Sequence, residues 1–203
     1  RQTIHFLASF DLSGSPGGSL QAEVGQISVI APPTEFIVVP ADGGGGQLKI
    51  HDSGTQVQAT LLGTFKTVFK GSKLDTSWSM RASQADSPFV VRLVDDSDSG
   101  MIDASFGGNG TIVVGGQEMM PYVAGTTYHF ALMVAEPIIG PATWAVLVTA
   151  EGPGAPVGTA LGLLPSTGPL TVKSVHLIRP AGASSGQFFV DDLKAVSSNF
   201  SVK

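Results

Sequence analysis

The feature that most constrains this chain is a repeat of period two. Short runs in which apolar and polar residues alternate recur from one end to the other, separated by clusters of Gly, Pro, Asn, Asp and Ser. Successive side chains of a strand point to opposite faces, so such a run reads as a strand with one face buried. The predicted strands are Ile4–Leu12, Leu20–Ile30, Phe36–Val39, Gln47–His51, Gln56–Leu62, Thr64–Phe69, Ser77–Ala82, Phe89–Val94, Met101–Phe106, Thr111–Val114, Tyr128–Val134, Trp144–Thr149, Leu170–Leu177 and Phe188–Val196. Between them, Ser13–Ser19, Gly43–Gly46, Asp95–Gly100, Gly107–Gly110, Ile138–Pro141 and Gly152–Gly158 read as turns, with Asn109-Gly110 as a hairpin signal. The Pro/Gly-rich stretch from Glu151 to Gly168 reads as a long surface loop, and no helical stripe of useful length appears.

Composition narrows the class. Only 13% of residues are charged while 42% are hydrophobic, and 26 Gly and 13 Pro suit short strands joined by tight turns. The 203 residues are read as one β-sandwich domain over 1–203, a length that sandwiches reach undivided. A net charge of -5 argues against general nucleic-acid binding, which needs a basic surface. With no cysteine there is neither a disulfide framework nor thiolate chemistry. The longest apolar run, Phe130–Ala135, is far shorter than the ~20 residues that span a bilayer. The start at Arg1 reads as a mature, secreted product whose signal segment has been removed, so the expected location is extracellular or at the cell surface.

The last run, Gln187-Phe188-Phe189-Val190-Asp191-Asp192-Leu193-Lys194-Ala195-Val196, resembles the closing strand of concanavalin A-like (laminin G-like) β-sandwiches. In that family the closing strand lies near the N-terminal one, and Thr3–Leu12 has the matching alternation. Tyr128–Val134, Trp144–Thr149 and Leu170–Leu177 are similar to the family's penultimate strands. The resemblance implies an all-β, two-sheet antiparallel jelly roll. It also implies that the lectins, the glycoside hydrolases and the polysaccharide lyases of the family are the activities to test against the residues, and the arginine, histidine and tyrosine signatures of the lyases are not found.

The catalytic patterns fail that test. The retaining hydrolases of the family carry Glu-x-Asp-x-x-Glu on one strand, and Glu23, Glu35, Glu118, Glu136 and Glu151 form no such pattern. Strict alternation sends Asp191 and Asp192 to opposite faces, which prevents them from acting as a facing acid and base. Gly182-Ala183-Ser184-Ser185-Gly186 matches a nucleophile-elbow pattern but precedes a strand, and the pattern works only where a helix follows. Gly43–Gly46 lacks the lysine and helix of a phosphate loop, and His5, His51, His129 and His176 fall on separate strands without ligand spacing. The expectation is a protein that is not an enzyme.

Two groups of residues remain as candidate sites. Lys66, Arg81, Arg92 and His129 each oppose apolar residues on their own strands. Neighbouring strands would align them as a cationic band for an anionic glycan; isolated basic residues on solvated faces are the alternative. Tyr122, in the turn-like Met119-Met120-Pro121-Tyr122, is expected to be the exposed aromatic, whereas Trp78 and Trp144 align with core positions. Asp95, Asp98 and Asp103 lie in a segment similar to the start of a calcium loop, with glycine at its sixth place but Phe106 where the terminal glutamate belongs. A plain acidic hairpin explains the same residues. Asp191, sharing a face with Phe189, Leu193 and Ala195, is read as a hydrogen-bond acceptor bracing the terminal strands or, as in relatives of the fold, a calcium ligand. A structural Ca²⁺ is the one cofactor these patterns admit.

Two function classes follow: a non-enzymatic carbohydrate-binding module whose partner is a polysaccharide or surface glycan, preferentially anionic, or a structural subunit of a fibre, surface layer or virion that self-assembles through edge strands. Asn109-Gly110-Thr111 and Asn199-Phe200-Ser201 are glycosylation sequons.

Overall fold

The structure, a computed structural model, describes residues 2–10, 20–30, 36–41, 45–51, 58–86, 88–137, 139–165, 169–181 and 186–198. These residues form fifteen strands: β1 Gln2–Ala8, β2 Gln26–Ile30, β3 Phe36–Pro40, β4 Gly46–His51, β5 Ala59–Lys70, β6 Lys73–Ala82, β7 Phe89–Val94, β8 Gly100–Phe106, β9 Thr111–Val114, β10 Gln117–Pro121, β11 Thr127–Ala135, β12 Thr143–Ala150, β13 Val157–Leu163, β14 Thr171–Arg179 and β15 Gln187–Ser198. The described residues include no helix. Every pairing is antiparallel.

The strands make two sheets. The first runs β13-β12-β11-β6-β15-β4-β3, with β1 also on β15; the second runs β10-β9-β8-β7-β14-β5-β2. β15 is long enough to serve two partners end to end on one side, β4 along Gln187–Val190 and β1 along Leu193–Ser198. The expected pairing of the terminal strands is therefore present. Inward positions of the two sheets merge into one apolar cluster in which Trp78 stacks on Phe130 and Phe89 on Phe188. Both tryptophans are core residues, as the alternation predicts.

Several boundaries depart from the sequence reading. Ala59–Leu62 and Thr64–Phe69 belong to one strand, β5, which starts at Ala59 and not at Gln56, a residue outside the described ones, and β6 begins at Lys73 rather than at Ser77. Leu20–Ile30 is strand only from Gln26, apart from an isolated bridge between Leu7 and Val24. The hairpin at Asn109-Gly110 uses all of residues 107–110, with Gly107 donating to the Thr111 carbonyl and only Gly110 at positive φ within the turn. The most consequential miss is β13, inside the stretch read as loop. Its inward residues are Gly158, Ala160 and Gly162; a Cβ on Gly158 would come within 3.0 Å of Met120 Sδ, and one on Gly162 within 2.7 Å of Trp144 Nε1. With its large apolar residues facing outward, β13 gives no buried alternation to read. The strand β10, Gln117–Pro121, takes in Met119–Pro121 of the stretch expected to be turn-like; its Gln117 Nε2 donates to the Leu161 carbonyl at 2.9 Å, capping the edge strand β13. Ser13–Ser19 and Gly182–Ser185 lie outside the described residues.

Candidate functional site

The cationic band does not form. Arg81 on β6 and His129 on β11 are on the outer face of the first sheet, whereas Lys66 on β5 and Arg92 on β7 are on that of the second. Alternation placed each side chain away from the core correctly; strand order, a non-local property, separated them. Arg92 is held by Asp103 through two hydrogen bonds of 2.6 and 2.7 Å, and this pairing raises its pKa. Tyr122 is a second correction. Only 4% exposed, it stacks on Phe106 and donates its hydroxyl to the Gly107 carbonyl, and burial pushes its pKa up to about 12. The turn that holds it folds back over the β8–β9 hairpin, which the local sequence does not reveal.

The acidic segment forms the hairpin between β7 and β8. Asp95 Oδ1 accepts from the Ser97 and Ser99 amides. Desolvation alone would raise the Asp95 pKa, but hydrogen bonds from Ser97 and Ser99, with the charge of Lys173, outweigh it and hold the value low. Asp98, at φ 68°, pairs with Lys173, and Asp103 with Arg92. Asp191 lies in the other sheet. Among the described residues no group of three or more His, Asp or Glu is gathered as a metal site.

The closing strand carries the largest rearrangement. Asp191 pairs with Ser79 and Lys194 with Ser77, so β15 takes three steps where β6 takes two. The extra residue is a β-bulge, with Asp192 at φ 53°, and it breaks alternation. Phe189, Asp191 and Lys194 are consequently outward while Leu193 and Ala195 are core, correcting the face assigned to Asp191. Asp192, instead of pointing away, lines a groove on the outer face with Asp191 beside it; the Asp192 amide donates to Asp191 Oδ1 at 2.8 Å.

That groove, about 250 Å³, crosses β15, β6, β11 and β12 and is lined by Asp192, Ser77, Ser79, His129 and Thr149 over a floor of Ala131 and Leu147. His129 Nε2 lies 2.9 Å from Glu151 Oε1 at its rim. One row further along, Phe189 is flanked across the ladder by Arg81 and Lys49, and the Arg81 guanidinium sits 4.4 Å from the centre of the Phe189 ring. Arg81 and His129 are diagonal neighbours on adjacent strands, since Arg81 pairs with Thr127. Oxygen donors and acceptors, an aromatic face and the Arg81 and Lys49 cations thus share one open surface. Phe189, Lys49 and Asp192 were missed by sequence reasoning. Phe188-Phe189 held the signal, because adjacent aromatics on a strand cannot both be core.

No protein-family model and no curated sequence matches this chain. Among solved structures it is similar to a sialidase at TM-score 0.67 and 19% identity, over 96% of this chain and 18% of that one, so it spans under a fifth of that protein. It is similar to the PL-14 alginate lyase of Aplysia kurodai at TM-score 0.65 and 7% identity, covering 85% of this chain and 90% of the lyase. Peanut lectin matches over 100% of both chains at TM-score 0.61 and 10% identity. The expectation of a non-enzyme is overturned as a deduction from this architecture, since two of these three neighbours are enzymes. Two antiparallel sheets, terminal strands paired side by side, and these matches together give the chain the concanavalin A-like β-sandwich fold.

Proposed function

We propose that the chain binds carbohydrate on the outer face of its first sheet, with a preference for acidic sugars. The observation that carries this reading is the row Arg81, Phe189, Lys49 beside the hydroxyl-lined groove at His129. A sugar ring presents an apolar face to an aromatic side chain and hydroxyls to Ser, Thr, Asp and His, and a guanidinium matches a carboxylate in bidentate fashion. The alginate lyase and the lectin among its structural neighbours agree with this choice of ligand class.

Affinity electrophoresis on alginate, another polyuronate and a neutral glucan tests it. Retardation by the polyuronates, weakening with salt as exposed charges are screened, is the expected result. Arg81→Ala combined with Lys49→Ala should abolish retardation, and Phe189→Ala should weaken it about tenfold, the measure of one stacking contact of about 1–1.5 kcal/mol. Equal retardation by the neutral glucan, insensitive to Arg81 and Lys49, would discard the acidic preference. Assaying the same incubations for shortened polysaccharide and unsaturated ends would reveal turnover on this face.

A further inference from the structure

Next to the polar groove, on the same face, lies a second and larger depression of about 600 Å³, within the size range of small-ligand sites. Its lining is almost wholly apolar. Leu161 and Leu147 flank a floor of Ala131, Ala145 and Thr159, and Met133 closes one end. The hollow exists because Ala131 on β11 and Ala145 on β12 are short, leaving space between the longer side chains of Met133, Leu147 and Leu161. Leu161 is 75% exposed and Leu147 42%, a cost in contact with water that a soluble surface does not ordinarily carry in one patch. Ala131 and Leu147 line both depressions, so the apolar one continues directly into the groove that holds His129, Ser77 and Asp192.

We infer that the ligand is an amphipathic carbohydrate: a sugar seated in the polar groove whose apolar substituent, an ester-linked acyl group or an alkyl aglycone, lies in the Leu147–Leu161 depression. This rests on the carbohydrate reading above and adds the chemical class of the second half of the ligand. Continuity of the two hollows favours such a molecule over a second copy of the chain. Edge-to-edge pairing of β13 meets the Gln117 side chain already bonded to the Leu161 carbonyl, which occupies an acceptor that a second copy would need.

The test uses methyl, butyl and octyl glucuronides below their micelle concentrations, and a methyl glucuronide carrying a butanoyl ester on a ring hydroxyl, titrated by methyl and side-chain NMR. Leu161 and Met133 methyls report the apolar hollow, while Arg81 and His129 report the polar groove. Binding should tighten about twofold per methylene from methyl to butyl, half the full transfer value because the hollow is open on one side. All four reporters should move, and Leu161→Ser should erase the chain-length gain while leaving the methyl glucuronide affinity unchanged. A butanoyl ester that outperforms butyl identifies an acylated polysaccharide as the source, and the reverse order a glycolipid-type aglycone. Equal affinities along the series, with only Arg81 and His129 shifting, would overturn the inference and leave the carbohydrate reading intact. Shifts confined to Leu161 and Met133 would overturn both the joined ligand and the carbohydrate reading, as would no shifts at all. Dimerisation in sedimentation that Leu161→Ser removes and octyl glucuronide does not compete would assign the hollow to a second copy and overturn the inference.

Discussion

His5 illustrates how one bulge sets the chemistry of a residue. A register shift between Ile4 and Phe6 turns His5 inward, where it stacks near Phe65 and Phe69 and bonds Ser197 Oγ at 2.8 Å across the terminal strands. Its Nδ1 is buried without a completed hydrogen bond, facing the Thr67 carbonyl. Burial lowers the His5 pKa, and burial with the charge of Arg92 lowers that of His176. In the unfolded chain both protonate near the ordinary value of about 6.5. The unfolded state therefore binds more protons just below that pH, and stability present above it is lost as pH falls through the lowered folded values. Thermal melts should show a drop between pH 7.5 and 5.5, and His5→Gln should flatten the part owed to His5. A pH-independent melting temperature over that range would contradict the assignment. At Gly162 the constraint is steric: Gly162→Ala drives a methyl into the Trp144 indole and should cost roughly 1–3 kcal/mol. Calorimetry should record a fall of about 2–4 °C for each kcal/mol at this chain length.

Strands fail or succeed as units. β1 brings His5, Phe6 and Ala8 into the interior and covers the C-terminal half of β15, whose Leu193 and Ala195 are core residues. Removing residues 1–8 uncovers that edge and deletes Phe6, a loss of about 3–5 kcal/mol for the phenylalanine alone. The truncated protein should melt roughly 10 °C lower or aggregate through the exposed ladder. An unchanged melting temperature with a monomeric profile on size exclusion would refute the structural role of β1. The bulge in β15 is the other element-scale device, since it turns Asp192 into the groove on the outer face. Asp192→Gly, which adopts positive φ without strain, should leave the melting temperature within a few degrees, whereas the β-branched Asp192→Val should lower stability by about 1–3 kcal/mol.

At the scale of the whole molecule, runs of sequential neighbours such as β13-β12-β11 and β10-β9-β8-β7 are joined through strands far apart in the chain. β15 bonds β1, β4 and β6, and His5 meets Ser197 across 192 positions of sequence. Such pairings close large loops before contacts compensate for them, so refolding from denaturant should take about a second or longer. Complete refolding within milliseconds in a stopped-flow trace would contradict this topology. The same non-local order decides the candidate site. It places Arg81, Lys49, Phe189 and His129 on one face and sends Lys66 and Arg92 to the other.

Resemblance to the concanavalin A-like sandwiches supplied the closing strand beside the first; local alternation was enough to reveal an all-β chain, the outward direction of Arg81, Arg92 and His129, and the core roles of Trp78 and Trp144. Each of these depends on a residue and its immediate neighbours, which is where period two carries information. The bulge at Asp192, the glycine-lined strand β13, the burial of Tyr122 and the assembly of the groove depend on partners distant in sequence. Met120 and Trp144 decide why β13 has glycine at 158 and 162, and β6 decides which way Asp191 points. The sequence by itself determined that strands form and, where alternation is unbroken, which residues leave the core; only the tertiary structure, through pairing and register, decided where bulges and distant partners change that and which of those residues meet.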